Sequence, residues 1–274
     1  MQTKTDRTLS SHLILAKHGW SGSSKYYAPC IDVLGENEVT SSSIRQVIVV
    51  DIRGHGRSAF TGSAKVEDLA KDLREIIEEV KPTNLTCIGS SMGAAILWSY
   101  CEQYDNEGIA RGVFVDQAPL QYEKPGWTLG SKGLRTEKDL GNLKRALGED
   151  MRAFAAGNAD CCLVSPTSID SAFMDLITKE TLLCDPTFLG ELMTDHTAID
   201  WRDLLRDKYR IPVLNFAGGK SDIFPVEGVA TINSLLDSSQ TPNKLEVFED
   251  CSHWLYIERP KDFMRLVVSF AAGQ

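Results

Sequence analysis

Apolar residues fall into two alternating patterns along the chain. Short apolar runs occupy Leu13–Ala16, Val47–Asp51, Leu85–Gly89, Gly112–Val115, Val213–Ala217 and Leu245–Phe248, most of them closing on Gly, Pro or Asp. Runs of this length predict strands buried on both faces, as in a parallel sheet. Between them, Val66, Leu69, Ala70, Leu73, Ile76, Ile77 and Val80 recur at helical spacing with charges on the opposite side, which predicts a helix laying one face on a core. Phe263, Leu266, Val267 and Phe270 repeat that pattern after Pro260. Strands alternating with such helices predict an α/β fold, a mostly parallel central sheet with helices on both faces. Residues 120–210 break the alternation: they hold helical segments punctuated by Gly and Pro and no strand pattern. The expected organisation is a core domain of 1–119 and 211–274 with a helical cap, or lid, inserted at 120–210.

Composition narrows the partners. The chain has 274 residues, 42% hydrophobic and 24% charged, with 29 Lys+Arg against 38 Asp+Glu for a net charge of -9. Such a mixture suits a folded, water-soluble domain, and without a basic run it argues against a nucleic-acid partner. No apolar stretch approaches the roughly 20 residues of a membrane span, and the polar N-terminus lacks a signal-peptide core. The seven cysteines lack C-x-x-C spacing; together with the absent signal they predict a reducing, cytoplasmic setting. Oligomeric state is left open.

Chemistry concentrates at Gly89-Ser90-Ser91-Met92-Gly93. Ser91 has glycine two positions away on both sides, between an apolar run and a helical segment, the context of a nucleophile elbow. A serine at such a sharp strand-to-helix turn is held in a strained backbone, and side chains at the flanking positions would collide. An elbow serine needs a base. His253 follows the last apolar run, so its loop leaves the sheet edge where ligands bind in open α/β sheets; His12, His55 and His196 read as structural residues. Two aspartates compete as the acid, Asp116 and Asp222. The order Ser91, Asp222, His253 is that of nucleophile, acid and histidine on an elbow, so Asp222 is the expected partner, with Asp116 holding a loop. Gly219-Lys220-Ser221 fails the phosphate-loop pattern, because Leu214 stands where its first glycine is required. No dinucleotide fingerprint and no metal-ligand spacing is present, so no cofactor and no metal are expected.

Taken together, HGW at 18–20, DIRGHGRS at 51–58, GSSMGA at 89–94, VDQAP at 115–119, GGKSDIFP at 218–225 and CSHW at 251–254 resemble the α/β-hydrolase family, in particular its cofactor-free haloperoxidase/esterase-like branch. The resemblance implies a triad of Ser91, Asp222 and His253, and an oxyanion hole from the backbone N–H groups of Trp20 and Met92. It also implies that the antiparallel strands usually opening this fold are reduced here, since only about twelve residues precede the first strand. The expected activity is that of a serine hydrolase passing through an acyl-enzyme. Its partner would be a small or medium-sized hydrophobic ester, lactone or thioester. The alternative keeps the triad for acyl transfer, carbon–carbon cleavage or perhydrolysis, or for a receptor-like module with vestigial turnover. Trp127, Phe154, Phe188 and Trp254 are expected to line the substrate pocket. Phe173, Met174 and Met193 are further candidates, with Trp20 and Met92 at the floor.

Overall fold

Each of the six apolar runs is a strand. The computed structural model describes residues 12–35, 44–237 and 239–274. β1 (His12–Lys17) leads through a 3-10 turn and α1 (Ala28–Gly35) to β2 (Ile44–Val50), and α2 (Val66–Val80) connects onward to β3 (Asn84–Ser90). α3 (Met92–Tyr104) follows β3 directly and precedes β4 (Arg111–Val115). Between β4 and β5 (Val213–Gly218) come α4 (Glu137–Glu149), α5 (Met151–Cys162), α6 (Ser171–Thr181), α7 (Pro186–Ala198) and α8 (Arg202–Asp207). α9 (Val226–Leu235), β6 (Asn243–Phe248), α10 (Leu255–Glu258) and α11 (Pro260–Ala271) complete the chain.

The strands form one sheet in the order β2-β1-β3-β4-β5-β6, and every pairing is parallel. The opening strands expected to be reduced would fall largely on residues 1–11, outside those described. Period-two alternation explains the two cores. Leu13 and Leu15 join Leu73, Leu97 and Phe114 beneath α2 and α3, while Ile14 and Ala16 join Tyr256, Phe263 and Val267 beneath α10 and α11. The chain runs outward from β1 to β2 and then returns to β3 on the other side. The strand order therefore reverses between β1 and β3, and in open α/β sheets ligands bind in the crevice beyond such a reversal.

The helices α4 to α7 start where short polar side chains cap their N-termini. Thr136 and Asp139 form a reciprocal capping box on α4, and Asp150, Asp170 and Asp185 accept backbone N–H groups at α5, α6 and α7. Each such cap contributes about 1 kcal/mol. Between β4 and β5 no further strand occurs among the described residues, only an isolated bridge between Lys124 and Trp127. No described helix is long and apolar enough to cross a membrane.

Candidate active site

β3 ends and α3 begins on a single residue, Ser91, whose backbone sits at φ 51 and ψ -123. That conformation is costly for a side-chain-bearing residue, and close packing enforces it. A Cβ on Gly89 would lie 2.4 Å from the carbonyl of Gly93, and one on Gly93 would lie 2.8 Å from Lys17 O. The glycines on either side of Ser91 are therefore what lets strand, turn and helix approach. Ser91 N donates to Val115 O at 2.8 Å, and Ala94 N donates back to Ser91 O at 2.8 Å.

His253 stands in the loop between β6 and α10, 5% exposed. Its Nδ1 donates to Asp116 Oδ2 at 2.6 Å. This corrects the expectation for the acid. Asp116 immediately follows β4, at φ 47, a left-handed conformation that aspartate tolerates, and it is fully buried. Its Oδ1 accepts Gly218 N at 2.9 Å, and its Oδ2 accepts Ser221 Oγ at 2.7 Å besides the histidine. Asp222 is exposed, and no hydrogen bond joins it to His253. The β5 loop supplies donors to the carboxylate rather than the carboxylate itself. The expected loop-holding role of Asp116 is present too, through Gly218 N.

The loop after β1 faces Ser91. A Cβ on Gly19 would lie 3.1 Å from Ser91 Cβ. Two buried histidines hold this loop, and their hydrogen bonds assign each a neutral tautomer. His18 Nδ1 donates to Gly19 O at 2.7 Å while Nε2 accepts Ile52 N at 3.0 Å. His55 Nδ1 donates to Arg53 O at 3.0 Å while Nε2 accepts Ser21 N at 3.2 Å. Burial pushes His18 down to about 3, with neighbouring His55 adding to the effect, and burial pushes His55 to about 4. Both therefore serve the loop as neutral hydrogen-bonding groups. Trp20 is pinned by its indole, Nε1 donating to Leu189 O at 3.0 Å. No acceptor among the described residues engages the backbone N–H of Trp20 or Met92.

Ser91 and His253 open on one cavity of about 540 Å³. No hydrogen bond closes between the two side chains, an arrangement common before substrate arrives. Trp20, Met92, Phe154, Met193 and Trp254 line the cavity as expected. Trp127 and Phe188 do not. Trp127 packs with Phe224 and Val229 and donates Nε1 to Leu120 O, and Phe188 packs against Phe60 with ring centroids 4.5 Å apart. Phe173 and Met174 lie against the α10–α11 core instead. Sequence reasoning missed the small and aliphatic residues of α4 and α5, Leu143, Ala146, Ala153 and Gly157, and the polar His196 and Asn158. Helical spacing was the available signal: Leu143 and Ala146, and Ala153 and Gly157, each fall on one helix face.

A family profile described as the alpha/beta hydrolase fold matches residues 13–260. Among curated proteins, a probable alcohol acetyltransferase of Wickerhamomyces anomalus is 26% identical over 281 residues, covering 94% of this chain and 77% of its own length. Among solved structures, an esterase from Exiguobacterium antarcticum superposes with a TM-score of 0.84 at 20% identity, over 96% of this chain and 92% of that one. A bromoperoxidase from Bacillus anthracis has a TM-score of 0.82, with the same identity and coverage. At such identities the two structures share the fold with this chain.

Proposed function

The chain belongs to the alpha/beta hydrolase fold family, and on that premise we propose that it is a serine hydrolase acting on small or medium-sized hydrophobic carboxylic esters, lactones or thioesters. The observation that carries this reading is Ser91 on a strained turn, sharing a cavity with a histidine whose far nitrogen is held by a buried carboxylate. His253 Nε2 takes the Ser91 proton as Oγ attacks the acyl carbon. Asp116 keeps the Nδ1 proton in place, so that Nε2 is the basic nitrogen, and stabilises the imidazolium that forms. The oxyanion meets the N–H groups of Met92 and Trp20; losing one such donor typically costs about 3–4 kcal/mol. His253 then protonates the leaving group, and water repeats the sequence on the acyl-enzyme. The helical insertion of 120–210 acts as the cap that shapes the acyl site. Its contribution to the cavity wall is mostly apolar, which favours hydrocarbon acyl chains.

A second outcome of the same acyl-enzyme is transfer to an alcohol. The relative named as a probable alcohol acetyltransferase favours including it, and an apolar cavity disfavours water as the competing acceptor. One experiment tests both readings. A fluorophosphonate probe should label the protein on Ser91, and Ser91→Ala should abolish labelling while leaving circular dichroism unchanged. Turnover of p-nitrophenyl esters from acetate to decanoate, with and without ethanol or hexanol, then measures how the acyl group partitions between water and alcohol. Labelling that persists in Ser91→Ala would remove the nucleophile and with it the proposal.

A further inference from the structure

β1 ends on a lysine that this chemistry does not use. Lys17 is 1% exposed, yet its Nζ makes no hydrogen bond or ion pair with a described residue. The carboxylate of Asp72 on α2 acts on it through space, but Asp72 is itself clasped by Arg53 through Nε and Nη2. Lys17 lines a second cleft, of about 680 Å³, bounded by the residues after β2 and by α2. This cleft shares no lining residue with the cavity of Ser91 and His253.

The groups facing the cleft decide what it can take. Asp51 and Arg53 come from the loop after β2, and Asp72, Glu75 and Glu79 from α2; Cys87 on β3, outside the cleft lining, also acts on the amine through space. Four carboxylates outnumber the guanidinium and the amine, so an anionic ligand is repelled. A buried ammonium without a counter-ion is itself unfavourable. Burial accordingly pushes Lys17 down to about 8, against the opposing pull of Asp72 and Cys87. The amine is thus in substantial part neutral and nucleophilic near physiological pH.

We propose that this cleft is a covalent carbonyl site, where the Lys17 amine condenses with a small neutral aldehyde. The Nζ lone pair attacks the aldehyde carbon, and a proton passes from nitrogen to oxygen to give the carbinolamine. Loss of the second N–H proton together with the hydroxyl forms the C=N bond and releases one water. Nothing is oxidised or reduced, and the product imine can remain neutral where an ammonium is costly. The carboxylate walls select uncharged carbonyl compounds over phosphorylated or carboxylated ones.

The test uses the full-length protein with butyraldehyde and sodium cyanoborohydride at pH 7.5, followed by peptide mass mapping. Lys17, the more buried amine, should be alkylated at least tenfold faster than exposed lysines such as Lys71 and Lys138, because roughly a hundredfold more of it is neutral. Its rate should level off above pH 8 while the exposed sites keep accelerating. Anionic glyoxylate should react there much more slowly than butyraldehyde. The adduct should vanish in Lys17→Met and persist in Ser91→Ala. Lys17 left unmodified while exposed lysines react would overturn the proposal, as would glyoxylate matching butyraldehyde or the adduct depending on Ser91.

Discussion

Replacing Asp116 by asparagine tests the site at its most buried point. Asp116 Oδ1 accepts Gly218 N at 2.9 Å, so in Asp116→Asn the amide oxygen must remain there. The NH₂ group then occupies the Oδ2 position, facing Ser221 Oγ and His253 Nδ1. Ser221 adapts by rotating its hydroxyl to accept. His253 adapts only by moving its proton to Nε2 so that Nδ1 becomes an acceptor, which leaves Ser91 facing a nitrogen that already carries a hydrogen. The backbone is undisturbed and the base is lost. In serine triads a wrong tautomer of this kind lowers kcat by about 10⁴, some 5.4 kcal/mol of transition-state stabilisation at 1.36 kcal/mol per decade. The assay is kcat on p-nitrophenyl butyrate, with thermal unfolding to confirm the fold. Asp222→Asn removes an exposed carboxylate that does not bond His253, so its kcat should stay within about threefold of the parent, an effect of surface charge alone. An Asp116→Asn enzyme retaining more than a tenth of parental kcat, or an Asp222→Asn enzyme losing more than Asp116→Asn, would refute the assignment.

Two further measurements probe the cavity and the buried histidines. A Cβ on Gly157 in α5 meets nothing within 4 Å and the residue lines the cavity, so Gly157→Leu should fill acyl space. It should cut kcat/KM on p-nitrophenyl octanoate at least tenfold more than on acetate, while helix stability gains about 0.5–1 kcal/mol; unchanged chain-length selectivity would place the acyl chain elsewhere. Burial holds His18 to about 3, His55 to about 4 and His196 to about 3. The unfolded chain binds protons below the ordinary imidazole value that the folded protein refuses, so stability is fully present above pH 6.5 and is lost as pH falls toward 4. Three such groups give a slope of up to about 4 kcal/mol per pH unit, read from urea midpoints at pH 7, 6 and 5; equal midpoints at pH 6 and 5 would mean that these imidazoles charge without unfolding.

Strands, elbow and histidine were legible in the sequence because local chemistry dictates each. An apolar run makes a buried strand, and two glycines flanking a serine make a turn that only they permit. The acid was not legible in that way. Asp116 and Asp222 both lie between Ser91 and His253, and both follow strands that are neighbours in the sheet, so chain order could not choose. Register chooses: Val115 pairs with Phe216, so Asp116 comes off β4 beside the end of β5, beneath the loop that carries His253. Asp222 lies past the turn whose Gly218 N and Ser221 Oγ bond Asp116. The one local sign was an aspartate directly after the buried apolar end of β4, Gly112–Val115, where an unpaired charge would be untenable. The pocket aromatics failed for a different reason. α7 buries Phe188, Leu189, Leu192, Met193, His196 and Thr197, so its pattern marks no single inward face. Docking decides instead, turning Met193 and His196, three residues apart, toward the cavity and Phe188 toward Phe60. Size made the aromatics look like a pocket. Yet the volume of the cavity is set as much by where Ala146, Ala153 and Gly157 leave room, and those are the residues whose enlargement should change what the proposed hydrolase accepts.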